Sequence, residues 1–194
     1  REPKRYCGSF DKSDPRYLQY VTGDQVTLAD LTGTIGIGNY KYAVVWCRIS
    51  TDLWDFMPLA DMTSETLSLS FREFCASFLT SDSDIASLIM YSDSQASLVR
   101  LCTDFNMRHR HAPPGRPQAN SVVERKIGIA LAGIWCYLAN AGLPCCFWPF
   151  AGHCYAFNHS WSTLGGKRES PRQLTFEEES VSYTHLTLPT MRLV

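Results

Sequence analysis

A chain of 194 residues, 45% hydrophobic and 19% charged, is long enough to bury a sizeable core as one domain. Its net charge of −1 does not point to a histone-like or polyanion-coating protein, but it leaves room for a local basic groove. The eight cysteines are scattered and none forms a C-x-x-C pair, so zinc-ribbon spacing is absent. Most lie in apolar runs, where cysteine behaves as a small hydrophobe, and a reducing compartment is expected. The chain opens at Arg1 without a signal peptide and reads as a fragment.

Residues 1–22 are polar and irregular and read as a linker from an upstream region. Gly23-Asp24 then opens Gln25 to Leu31, whose alternation predicts a strand with Asp30 near its end. Tyr40 to Arg48 reads as a buried strand and Leu53 to Leu59 as its hairpin partner. Thr63-Ser-Glu-Thr is an N-cap signature, and Leu67, Phe71, Phe74 and Phe78 have helical spacing, so a helix is predicted over 64–79. A turn at 81–84, a short strand over Ile85 to Tyr91, a helix over 96–106 and a strand over Met107 to His111 follow. Pro113 to Pro117 is a rigid loop. This order predicts an α/β domain with a mixed sheet.

From Ile127 to Gly166 there is no Asp, Glu, Lys or Arg. Asn140-Ala-Gly-Leu-Pro144 splits that run into two segments of about a dozen residues, short of the roughly twenty that a spanning helix needs. Two buried helices covering a sheet are expected, and no membrane partner. Trp46, Trp54, Trp135 and Trp148 are expected in the core. Residues 176–194 form a tail, of which 181–194 resembles one reading frame of a sequencing adaptor and is left out of the fold.

Taken singly, the acidic residues have local explanations. Asp30 suits a turn, Asp93 can cap the helix after it, and Ser121-Val-Val-Glu124 has capping-box spacing. Together they suggest more. In a mixed sheet the first and fourth strands can be neighbours, bringing Asp30 and Asp93 to one edge, where the 113–117 loop can deliver Glu124. Three such carboxylates repel unless cations neutralise them, and oxygen ligands select Mg2+ or Mn2+. Two such ions could clamp the attacking and leaving oxygens of a phosphodiester.

Pro117-Gln-Ala-Asn-Ser-Val-Val-Glu-Arg125 is similar to the P-Q-x-N-G-x-x-E-R motif of copia-type LTR retrotransposon integrases. Tyr91-Ser-Asp-Ser94 resembles that family's S-D-N segment. Ala141-Gly-Leu-Pro-Cys-Cys-Phe-Trp148, followed by Ala151, matches its A-G-L-P-x-x-F-W-x-x-A helix pair, and Gly165 to Pro171 is similar to a later G-G-K-x-P stretch. The likeness spans roughly residues 20–175, so 23–175 is expected to be the catalytic core. It implies a retroviral-integrase relative with an RNase H-like mixed five-stranded sheet flanked by helices.

The resemblance further implies that Asp30, Asp93 and Glu124 ligate two Mg2+ or Mn2+ ions, Asp30 bridging both. Water would trim the element's 3′ ends, and the new 3′-hydroxyls would attack target DNA. The implied partners are element-end and target DNA, further copies in a homo-oligomer, and the rest of a Pol polyprotein. The implied setting is intracellular, in the nucleus or a cytoplasmic particle. A degenerate, inactive nucleic-acid-binding remnant and an RNase H-type nuclease are the alternatives.

The most basic segment holds Arg108, Arg110, Arg116, Arg125 and Lys126. It reads equally as a phosphate-binding face or as a solvated basic face. Asn120, one turn before Glu124, is a candidate for orienting substrate. His109 and His111 alternate along one strand without a third ligand, against a metal site there.

Overall fold

The structure, a computed structural model, describes residues 18–79, 82–93, 95–111, 121–163 and 169–176. The loop 113–117, Arg116, Asn120, most of the 1–22 linker and the tail beyond Phe176 lie outside the described residues.

Five strands form one mixed sheet: β1 (Tyr20–Thr27), β2 (Tyr42–Arg48), β3 (Trp54–Leu59), β4 (Ile89–Ser92) and β5 (Arg108–His111), in the order β3-β2-β1-β4-β5. β1 to β3 run as an antiparallel meander, while β4 and β5 add parallel to β1. The pairing of β1 with β4 makes the first and fourth strands neighbours.

The first strand differs from expectation. It starts at Tyr20, inside the expected linker, and ends at Thr27, after which Leu28–Thr32 form one helical turn, α1. The reason lies across the ladder. Gly23 pairs with Trp46 of β2, and a Cβ on Gly23 would fall 2.1 Å from the indole ring. Gly23-Asp24 looks like a turn in sequence, yet Gly23 is the strand position that makes room for a tryptophan.

Two layers of helices cover the sheet. On one face lie α2 (Ser64–Ala76) and α4 (Ala96–Asp104), which bury Leu67, Phe71, Phe74, Leu98 and Leu101 against Val21, Val44, Trp46 and Met90. Thr63 caps α2 by accepting the Thr66 amide at 3.3 Å, as the sequence signature implies. Between α2 and β4, Asp82–Ile85 make a single helical turn, α3. Ile85 and Leu88 join this core from there, so β4 begins only at Ile89 and not at Ile85.

The uncharged run forms the other layer as α5 (Ser121–Ala141) and α6 (Trp148–Trp161). Between them Gly142, at φ 63, permits the Leu143 amide to reach back to Leu138 O at 3.0 Å, which closes α5 in a Schellman motif. Val123, Ala130, Ile134, Trp148 and Ala156 pack on Ala43, Val45, Trp54 and Phe56. No helix among the described residues is long and apolar enough to cross a membrane. Trp46, Trp54 and Trp148 are core residues as expected, but Trp135 is 37% exposed because it falls on the outer face of α5. A last helix, α7 (Pro171–Phe176), is started by a capping box. Ser170 Oγ accepts the Gln173 amide at 3.2 Å, and Gln173 Oε1 accepts the Ser170 amide at 2.7 Å.

Candidate carboxylate site

Side chains alternate along β1. Val21 and Gly23 face the α2/α4 layer, and Gln25 continues that face by donating to Ser97 Oγ of α4 at 3.3 Å. Asp24 therefore projects toward α5. In the parallel ladder Val21 pairs with Met90, and Asp24 and Asp93 each lie three residues further on. The two aspartates thus stand at the same level, where β4 has just ended. α5 packs across β1 and β2, with Glu124 in its first turn.

Asp24 lies within reach of the charges of Asp93 and Glu124. Its carboxyl is pushed up to about 6, first by burial and then by the negative charges of Asp93 and Glu124. The Gln25 amide, donating to Asp24 Oδ1 at 2.8 Å, partly offsets the rise. Asp93 also accepts the Gln95 amide at 3.4 Å, but Gln95 is the N-cap of α4 and no side chain caps that helix, so Asp93 does not take the capping role its sequence context suggested. Ser92, fully buried, is hydrogen-bonded to His109 Nε2 of β5 at 2.9 Å.

Asp30 is not brought to this group. It sits exposed in α1, beyond the end of the strand, because the chain turns helical at Leu28. Asp24, not singled out in the sequence, is the carboxylate that feels the charges of Asp93 and Glu124. Val21, Thr22, Val26 and Thr27 were the available signal, since β-branched residues on both sides of Gly23-Asp24 mark a strand.

All-oxygen donors suit a hard divalent cation, and a carboxyl raised by burial and further by two like-charged neighbours is one that a cation would relieve. Among the described residues, however, no three His, Cys, Asp or Glu side chains are gathered closely enough to hold one metal ion. The carboxylates are therefore close enough to repel without forming a finished cage.

The basic residues divide. Arg108 and Arg110 are exposed on β5, and Arg110 lies 5.5 Å from the centroid of the Tyr20 ring. Arg125 is exposed on α5. Lys126, expected to face phosphates, is turned inward and is only 4% exposed, because it shares the helix stripe of Val123 and Ala130. Its ammonium pairs with Asp52 Oδ1 at 3.1 Å. Nearby, Trp54 Nε1 donates to His159 Nδ1 at 3.0 Å. Burial first, and then Lys126, hold the His159 imidazole below its ordinary pKa, which favours the neutral ring that accepts this bond.

The five-stranded mixed sheet and its flanking helices match the RNase H-like fold seen in integrase catalytic cores. One similar structure is a chain of the simian T-cell lymphotropic virus intasome in complex with the PP2A regulatory subunit B56 gamma. It has TM-score 0.62 and 17% identity, with 82% of this chain and 54% of that chain covered, so this chain spans about half of that chain's length. Another is the catalytic core domain of BIV integrase, with TM-score 0.57, 14% identity and coverage of 82% and 95%. A third is the HTLV-2 integrase catalytic core domain in complex with magnesium, in a trimeric form, with TM-score 0.55, 16% identity and coverage of 81% and 95%. No protein-family model matches the chain, and no curated protein is significantly similar to it.

Proposed function

We propose that this chain is the catalytic core of a copia-type retrotransposon integrase, a polynucleotidyl transferase acting through Asp24, Asp93 and Glu124. The observation that carries the reading is the Asp24 carboxyl on an integrase-type sheet, pushed up to about 6 by burial first and then by the charges of Asp93 and Glu124. The P-Q-A-N-S-V-V-E-R and A-G-L-P-C-C-F-W motifs support it from the sequence side. Asp24 takes the role that sequence reasoning gave to Asp30.

Asp24, Asp93 and Glu124 would hold two Mg2+ or Mn2+ ions, which when bound supply Lewis-acid stabilisation at the reacting phosphodiester. The chain's other residues orient and neutralise. Arg108, Arg110 and Arg125, exposed on β5 and α5, take DNA phosphates, and Arg116 and Asn120, outside the described residues, are further DNA-contact candidates from the sequence motif. The reaction is 3′-end trimming by water, then attack of the new 3′-hydroxyl on target DNA. The core, from β1 at Tyr20 to α7 at Phe176, acts within a Pol polyprotein, assembled as a homo-oligomer inside the cell.

One observation favours a second reading, an inactive nucleic-acid-binding remnant: no three ligating side chains are gathered among the described residues. The test is Mn2+-dependent joining of a 3′-hydroxyl oligonucleotide to plasmid DNA. Joining that is lost on Glu124→Gln supports the transferase. DNA binding without joining supports the remnant, and cleavage confined to the RNA strand of a hybrid supports an RNase H-type nuclease.

A further inference from the structure

Lys126 is a buried charge with a specific set of partners. Its ammonium lies 3.1 Å from Asp52 Oδ1 and 5.7 Å from the centroid of the Trp54 ring. Asp52 forms the corner of the β2–β3 hairpin at φ 65, and its amide donates to Arg48 O at 3.0 Å. Trp54 is in turn bonded to His159 of α6. A single lysine thus ties the start of α5 to the hairpin and, through Trp54, to α6.

Stability alone is a poor reason for this arrangement. Taking an ammonium and a carboxylate out of water is expensive, and replacing such pairs with apolar groups is often neutral or stabilising. What an ion pair supplies that an apolar contact does not is a fixed partner at a fixed place. The position on α5 makes this matter. The fully buried residues at the start of the helix are Val123 and Lys126, with Val122 and Ile127 partly buried against the same core and Ala130 the next fully buried position. Val123 and Lys126 are therefore the anchors of the turns that carry Glu124. A slip of one residue in their seating would rotate Glu124 by about 100° away from Asp24.

We propose that the Lys126–Asp52 ion pair is a positioning device that fixes the rotation and advance of α5, holding Glu124 toward Asp24 and Asp93. Lys126 acts through Glu124 and touches no substrate. The inference rests on the reading of Glu124 as a metal ligand.

The test measures Mn2+ affinity by calorimetry, alongside thermal unfolding, for the full chain and for Lys126→Met, Lys126→Arg, Asp52→Asn and Glu124→Gln. The expected result is that Lys126→Met and Asp52→Asn weaken Mn2+ binding by about tenfold or more, as loss of a supporting contact typically does. Both variants should lower Tm, because each leaves one buried charge without its ion-pair partner, so affinity is read below every Tm; Lys126→Arg should recover most of the affinity. If Lys126→Met fails to fold, Asp52→Asn decides in the same readout. Parent-like affinity in folded Lys126→Met and Asp52→Asn, with binding lost in Glu124→Gln, overturns the positioning role alone. A parent chain that binds no Mn2+, indistinguishable from Glu124→Gln, overturns the ligand reading and the inference with it.

Discussion

Gly23 and Trp46 face each other across β1 and β2 so closely that a Cβ on the glycine would sit 2.1 Å from the indole. The indole is further fixed by donating to Ser70 Oγ of α2 at 3.2 Å and by an edge contact with Phe71. Gly23→Ala should therefore overpack the core and cost about 1–3 kcal/mol or more. Urea unfolding checks it, with the midpoint falling and the slope unchanged.

Asp24 gives a pH signature. Its carboxyl is raised from 3.8 to about 6, so the folded chain holds that proton more tightly than the unfolded chain. Between these values the folded state binds more protons, and this group's contribution to stability falls as pH rises. The penalty is absent below about pH 4 and fully present above about 6. In metal-free buffer the Tm of Asp24→Asn should exceed that of the parent chain by a margin that opens between pH 4 and 7. Melting curves across that range measure it.

Arg108 and Arg110, exposed on β5, should contribute to DNA binding through phosphates and not through sequence. Replacing either with Ala should weaken binding to unrelated duplexes alike. Each replacement should make the dependence of log Kobs on log salt shallower by about 0.9. Fluorescence anisotropy at several salt concentrations reads both effects.

The cysteines should differ sharply in reactivity. Cys75 and Cys102 are buried, and burial pushes their thiols up to about 12 and about 11. Cys136, Cys145 and Cys154 are exposed free thiols. Brief iodoacetamide treatment of the folded chain should alkylate the exposed three and spare Cys75 and Cys102, as peptide mass spectrometry would show.

Much of the architecture was legible because local signals agreed with it. The Thr63 cap and the apolar spacing marked α2, and the Asn140–Pro144 break marked the joint between α5 and α6 at a glycine with positive φ. Illegible features depended on residues far away in sequence. Gly23-Asp24 has the composition of a turn and becomes strand only because Trp46 arrives opposite it. That displaced the candidate aspartate by six positions, from Asp24 to Asp30. Lys126 reads as a surface charge until Asp52, at a hairpin corner, supplies its partner. Asp93 and Glu124 were placeable because one follows a short apolar strand and the other opens a long helix.

The assignment of the first carboxylate is tested most directly by comparing Asp24→Asn with Asp30→Asn in Mn2+-dependent joining of an oligonucleotide to plasmid DNA. Asp24→Asn should abolish joining in a folded protein, while Asp30→Asn, altering an exposed residue of α1, should leave it at the parent level. Joining that survives Asp24→Asn and disappears in Asp30→Asn would contradict the account.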